Sequence, residues 1–398
     1  MVKILTAHTS ETDDVETAVS EILNQLDLSR LQKYSAGIMY YYADFAKTGV
    51  TKQICEKLPF PVIGSTTSSS AVHGSKKDIT LTISVFTSDD IAFTAGICDL
   101  VGDEPYMPLE KLYKELVAQK PASFPAGEKP SMMYIIAPDF KDVTGDDYVA
   151  VLSGLSGGSP VFGSVAFIHT AEFIGIKTFF NGTEYDCSMP VLAFWGNLNP
   201  KFFISSVPDE QIIHKSAVIT DSYRNRIKKV NGIPVLEYLE TLGLARDGKL
   251  EGTDSFPLIL HVGGGSRLVR SIIGVDKGEV LCSGAVPSHI PMGISFCDKD
   301  FVMESARKTA AECKRWLESQ SNPESGAVHS GFALVVSCIG RRWMLGTDVY
   351  AEIQEIDAGL NKLPYHLVYS RGEYCPSGII NGKADNYFYN YSLCICII

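Results

Sequence analysis

The alternation of apolar and polar stretches gives the first half of the chain a regular rhythm. Residues 2–8 read as a strand. Behind a Ser/Thr/Asp-rich start, Val15, Ala18, Val19, Ile22, Leu23 and Leu26 recur at helical spacing from Asp14 to Leu26. Ala36 to Tyr42 predicts a second strand, Lys47 to Leu58 a short helix, and Phe60 to Thr67 a third strand opening into a polar loop. Strand and helix in alternation point to a layered α/β arrangement. Ile79–Phe86 and Ile91–Cys98, separated by Thr-Ser-Asp-Asp, predict a hairpin. Leu109 to Lys120 is helical, and Pro121 to Pro130 is a connector.

The pattern then repeats. Residues 39–49 and 133–145 each pair a strand with an Asp-Phe loop and a Thr/Gly break before a helix. Matched strands follow, Pro61-Val-Ile-Gly-Ser65 and Pro160-Val-Phe-Gly-Ser164. Common order and four shared identities indicate an internal duplication in the N-terminal half. Strand (Ala333–Gly340), helix (Thr347–Leu360) and strand (Pro364–Ser370) echo it by element order alone. Between these lie β-rich residues 176–230, with Asn181-Gly182 as a hairpin signal, and a new helical pattern from Ile233 to Leu242. The expected division is therefore 1–230 and 231–398. Val262-Gly-Gly-Gly-Ser266 predicts a tight bend, and Phe301 to Ser319 a helix with Ala306, Thr309, Ala310, Cys313, Trp316 and Leu317 on one face.

Composition narrows the possibilities. At 398 residues and 45% hydrophobic, the chain can bury two full-sized cores. A net charge of −11 and no basic stripe argue against nucleic acid and anionic membrane surfaces. The N-terminus offers no signal-peptide pattern and no run reaches the roughly 18 apolar residues of a membrane span, so a cytoplasmic location is expected. Ten cysteines are scattered without a C-x-x-C motif, which reads as small core hydrophobes rather than a metal site.

The closing stretch carries the most specific signal. His366-Leu-Val-Tyr369 reads as a buried strand, and Ser370-Arg-Gly-Glu-Tyr-Cys-Pro376 as its abrupt end, leaving Glu373 at the carboxyl edge. This segment, with Tyr389-Asn390-Tyr391-Ser392 after it, resembles the signature that closes FIST proteins. The likeness extends to Gly64-Ser-Thr-Thr67, Gly163-Ser164, and Val336-Ser-Cys-Ile-Gly-Arg341 with Leu345-Gly346. Tyr374-Cys375 departs from it, standing where a small or aliphatic pair is expected. The resemblance implies two α/β domains with mixed sheets covered by helices, an intracellular sensory role, and a small amino-acid-type ligand. With no output domain in this sequence, signalling would run through a separate partner such as a kinase or receptor.

Arg341 and Glu373, each expected at a strand end, form the leading candidate site. A guanidinium can grip a carboxylate and a carboxylate can take an ammonium, which together suit an amino-acid-like zwitterion. The alternative is that the two pair with each other and fix the sheet edge. Cys338, Ser370 and Asn390 are expected to line the same pocket. Ser65 and Thr66, in a loop that could offer N–H groups and hydroxyls to an anion, and Ser164 in the matched strand complete the candidates. The loop lacks a Gly-Lys-Ser/Thr ending, so it is no P-loop, and an ordinary Ser/Thr-rich turn is its other reading. A hydrolase would need Cys338 or Cys375 beside His289, His329 or His366, and His366 in its apolar strand reads as a core residue. Haem held by one of eight histidines is a further alternative, although none lies in a C-x-x-C-H motif. No metal is expected.

Overall fold

The computed structural model describes residues 2–398 apart from 47, 76–78, 101, 103, 140–142, 169–174, 206, 263–266, 321–330 and 362. The predicted bend at 263–266 lies outside the described residues. The fold is mixed α/β, and its plan is a unit used three times. In the first unit, Lys3–Thr9, helix Val15–Gln25, Tyr34–Tyr42, helix Val50–Lys57 and Val62–Thr67 lead to Ser70–Val72 and Leu81–Ser88. The second runs Ala92–Asp99, helix Tyr106–Gln119, Met132–Ala137, helix Gly145–Leu155 and Val161–Val165, then Thr178–Phe180 and Ser188–Trp195. The third begins at Lys201–Ile204 and resumes with helix Lys299–Gln320, Ala333–Cys338, helix Ala351–Leu360 and Tyr365–Ser370. It closes with the hairpin Glu373–Ile380 and Lys383–Tyr389 and the strand Leu393–Ile397. The element-order echo noted in the sequence is thus a full third copy, interrupted between its first strand and first helix.

Register shows the equivalence. In each unit the central strands are parallel, with Gly37 opposite Val62, Met133 opposite Val161 and Ala333 opposite Tyr365. The N–H of Gly37, Met133 and Ala333 donates to the carbonyl of Pro61, Pro160 and Pro364, at 2.8, 2.8 and 3.0 Å. The repeated glycine has a steric cause. A Cβ on Gly64 or Gly163 would lie 2.0 Å from the Met39 or Ile135 carbonyl oxygen, closer than any side chain can sit.

Each sheet borrows a strand from another unit. Thr178–Phe180 of the second unit pairs with Val62–Thr67 of the first. Glu373–Ile380 of the third pairs with Val161–Val165 of the second, and Ser70–Val72 of the first with Tyr365–Ser370 of the third. At every seam the residue five positions beyond the proline donates its N–H across: Thr66 to Lys177 O at 2.9 Å, Val165 to Gly372 O at 3.1 Å, Tyr369 to Ser69 O at 3.0 Å. The three strand exchanges close a ring with pseudo-threefold symmetry.

Strand alternation sorts the core accordingly. Ile38 and Tyr40, Tyr134 and Ile136, and Leu334 and Val336 face one shared centre. Their neighbours Met39 and Tyr41, Met133 and Ile135, and Ala333 and Val335 pack under the helices of their own units. The helix Lys299–Gln320 buries Ala306, Thr309, Ala310 and Cys313, as its spacing predicts.

Within the third unit sits an eight-stranded antiparallel sheet formed by residues 212–295. Its strands Ile212–Tyr223 and Arg226–Val230 pair with Ile290–Ser295 and Glu279–Cys282, so hydrogen-bonded sheet spans residue 230. This capping sheet is tied to the second unit by Arg270, whose Nη2 meets Asp146 Oδ1 at 2.6 Å while Ala285 N donates to Asp146 Oδ2.

Three local expectations change. Leu81–Ser88 and Ala92–Asp99 are not a hairpin. The first is held between two strands of its own sheet, while the second pairs with Ser188–Trp195 in the next. Arg341 does not end a strand, because Ile339–Leu345 turns into a short helix. Glu373 begins a strand instead of closing one. Pro376 lies within that strand opposite Asn386, where the missing N–H is accommodated beside a register shift.

Candidate functional site

The three seams gather residues that are far apart in sequence. Ser65 and Ser164 occupy matching positions of their units, and Thr66 and Ser370 stand at seam crossings. Ser164 Oγ lies 2.7 Å from the Tyr40 hydroxyl, which is 2.6 Å from that of Tyr134, forming a buried chain of hydroxyls. Ser65 Oγ is buried without a partner. Thr66 Oγ1 accepts from Lys177 N at 3.0 Å. Ser370 Oγ accepts from Val165 N at 2.8 Å, fastening the second unit to the third. Thr66, Ser164 and Ser370 thus bond across the seams, while Ser65 sits at one without a side-chain bond.

Arg341 and Glu373 are both fully buried, but they do not form the expected zwitterion clamp. Arg341 is committed to Glu352, with Nε to Oε1 at 2.7 Å and an Nη2 contact of 2.6 Å. Its other N–H groups reach Ser305 Oγ, Val302 O and Tyr391 O. Glu352 also accepts from the hydroxyls of Ser337 and Tyr369 at 2.8 and 3.1 Å. A buried ion pair supported on both sides in this way fixes how helices and strands meet. The sequence spacing had given no reason to single out Glu352.

Glu373 has a different environment. Ser392 N donates to its Oε2 at 3.3 Å, and Oε1 is buried without a partner. Burial pushes its carboxyl well above the usual carboxylate range, against the smaller opposing pull of the Ser392 N–H, the Cys338 thiol and Arg341. The group is therefore poised to be a neutral acid. Burial also pushes the Cys338 thiol up, and the neighbouring Glu373 adds to this. An activated thiol nucleophile needs the opposite shift. His366 is held between Thr82 Oγ1 and Ser84 Oγ, each at 2.8 Å, and burial lowers its pKa to about 3. It is a satisfied core histidine. His329 lies outside the described residues, and His289 takes a φ of 59° on a turn of the capping sheet. Among the described residues no group of three or more His, Cys, Asp or Glu could hold a metal ion.

Asn390 and the segment around Gly372 lead to a cavity. Gly372 is required because a Cβ there would strike the Phe388 ring at 2.3 Å. Asn390 Oδ1 accepts from Ser283 Oγ at 2.5 Å, and its Nδ2 donates to Arg371 O at 3.4 Å. Ser283 and Arg371 both line a cavity of about 280 Å³. Its other walls are Val143 and Thr144 of the second unit and Tyr223–Arg226, Ile273, Leu281 and Cys282 of the capping sheet. Asn390, expected as a pocket liner, stands one layer behind it, with Ser370 and Glu373 on the strands that position Arg371. Arg371, Arg226 and Arg224 were not anticipated. Arg371 adjoined the Gly-Glu motif, but the flanking residues drew the chemical reading, and the other two read only as strand and turn.

These features define a three-unit α/β protein with a cavity of mixed polar and apolar lining between its second and third units, under an inserted sheet. The chain belongs to the FIST family: residues 35–233 match the FIST N domain and residues 234–376 the FIST C domain. FIST domains are associated with sensory and signal-transduction roles. No curated protein matches the chain. Among the described residues no helix is long and apolar enough to cross a membrane.

Proposed function

We propose that this chain is a small-molecule-binding sensory protein whose ligand, an amino-acid-like or other small polar molecule, occupies the cavity between the second and third units and the capping sheet. One observation carries the reading: residues matched by both family domains converge on that cavity, and Asn390 bonds to two of its walls at once. Ligand pockets favour such junctions. Occupancy would alter the seam and the seating of the capping sheet, and a separate partner, such as a kinase or receptor, would sense that change. The buried Glu373, Cys338 and Arg341 act behind the cavity as its support.

A thermal-shift screen against amino acids, small carboxylates, nucleotides and haem tests the proposal. At a hundredfold excess over Kd a ligand adds about 2.7 kcal/mol, a shift of several degrees for domains of this size. The shift should vanish in Ile273→Trp, which fills the cavity from a half-exposed position without removing a hydrogen bond. A hit that survives this substitution places the ligand elsewhere and overturns the assignment.

A further inference from the structure

Resting on that cavity assignment, we infer that the capping sheet is a lid over the cavity, seated on the third unit and closed against the second by a latch between Arg270 and Asp146. The eight strands of the sheet pair with one another. Toward the third unit the attachment is broad and apolar. Ile212, Ile259 and Val269 pack with Phe301 and Val302 of the helix Lys299–Gln320, with Leu345 and with Tyr391. Hydrogen bonds to the same unit reinforce it: Ser283 Oγ donates to Asn390 Oδ1 at 2.5 Å, and Arg270 Nη1 to Phe388 O at 3.0 Å.

Toward the second unit the sheet is fastened by a charged pair. Asp146, in the first turn of the helix Gly145–Leu155, takes Arg270 Nη2 on Oδ1 at 2.6 Å and Ala285 N on Oδ2 at 2.8 Å. Both sides of this contact adjoin the cavity, since Thr144 just before Asp146 and Ser283 just before Gly284 line it. Gly284 sets how closely the latch can shut. A Cβ there would lie 2.8 Å from Arg270 Nε and 2.9 Å from Asp146 Oδ2, too near for either to stay in place. Arg270 is not free to swing aside, because Nε also donates to Ala285 O and Nη1 to Val269 O. Parting the apolar side of the sheet would expose hydrophobic surface to water. Arg270 and the partly exposed Asp146 instead regain hydration as they separate, which offsets much of the lost attraction. The edge that opens most readily is therefore the one over the cavity, and lids draw on such locally weak contacts.

Alkylation of the native full chain by N-ethylmaleimide, followed at each cysteine by peptide mass spectrometry, tests the lid. Cys282 lines the cavity and Cys394 lies in the shared core of the ring. Both are fully buried, so each reacts only when its surroundings open. Gly284→Ala keeps every donor and acceptor of the latch and wedges it apart. It should speed labelling of Cys282 at least about tenfold, an opening easier by about 1.4 kcal/mol, and leave Cys394 unchanged. Asp146→Asn removes the charge while keeping an acceptor for Ala285 N, and should act in the same direction. Equal acceleration at both cysteines would show a general loss of stability and overturn the lid, as would Cys282 labelling unmoved by both substitutions. The cavity assignment is separable because the labelling uses no ligand. Selective labelling of Cys282 together with thermal-shift hits indifferent to Ile273→Trp keeps the lid and rejects the cavity as the ligand site. Hits abolished by Ile273→Trp without any effect of the latch substitutions keep the cavity and reject the lid.

Discussion

Two groups of arginines, both in or facing the third unit, show how little a residue type says without its surroundings. Arg341 is sealed in the interior, with Glu352, Ser305, Val302 and Tyr391 taking its donors. Arg371 is about one-quarter exposed and lines a cavity with Arg224 and Arg226. A buried guanidinium with a complete set of partners is part of the scaffold, because any ligand would have to displace bonds made in a low-dielectric interior. A partly exposed guanidinium on a cavity wall is screened by solvent and can exchange partners at lower cost. Arg371 sits where the chain crosses from Tyr365–Ser370 into Glu373–Ile380, whereas Arg341 lies in the short helix Ile339–Leu345.

The comparison breaks most decisively at Arg341. Arg341→Met leaves Glu352 buried without its counter-charge and should cost about 3–5 kcal/mol in a denaturant titration. Adding Glu352→Leu should recover much of that loss. A single substitution that costs under about 1 kcal/mol would place Arg341 with the cavity group instead. Asn390→Ala comes next. It removes the bridge between Ser283 and Arg371, and should lower stability by about 1–3 kcal/mol while weakening ligand binding. Intact binding would show that the cavity walls do not need the bridge.

Glu373→Gln sharpens the contrast through pH. The folded-state pKa of Glu373 is raised, mainly by burial, so the native carboxyl holds its proton above the pH at which the unfolded chain releases it. Its contribution is full below the unfolded value near 4.5 and is lost as pH rises toward the folded value, at up to about 1.4 kcal/mol per pH unit. The amide variant should match the parent near pH 4 and melt higher at pH 8; parallel curves would contradict a neutral Glu373. The smallest effect is expected at the exposed pair of Lys299 and Asp348. Lys299→Ala should change stability by less than about 1 kcal/mol in the same titration.

The first two units were legible because a backbone constraint had left its mark on residue identity. Gly64 and Gly163 are forced by the approach of a carbonyl, and the proline three residues earlier marks the same register in both. The third unit keeps Pro364 but has Leu367 at the glycine position, and the capping sheet separates its first strand from its first helix. Element order was then the only trace. The candidate site divided in a similar way. Ser65, Thr66, Ser164 and Ser370 could be found by pattern because they recur at strand ends, and they proved to be seam residues. Arg224 and Arg226 could not be found that way, since their relation to Arg371 exists only once the capping sheet folds over the second unit. Glu352 was hidden for a simpler reason: one acid among several on an amphipathic helix gives no sign that it turns inward.

The ring of exchanged strands also bears on how the chain reaches its native state. The hydrogen bond from Thr67 to Tyr369 joins residues 302 positions apart. The first unit cannot complete its sheet before Thr178–Phe180 is available, nor the second before Glu373–Ile380. Such non-local pairing makes folding slow and leaves strand edges open while synthesis proceeds. Closure of the ring is therefore a late, collective event, and a nascent chain stalled before residue 373 would present an unpaired edge at Val161–Val165, a natural target for chaperones.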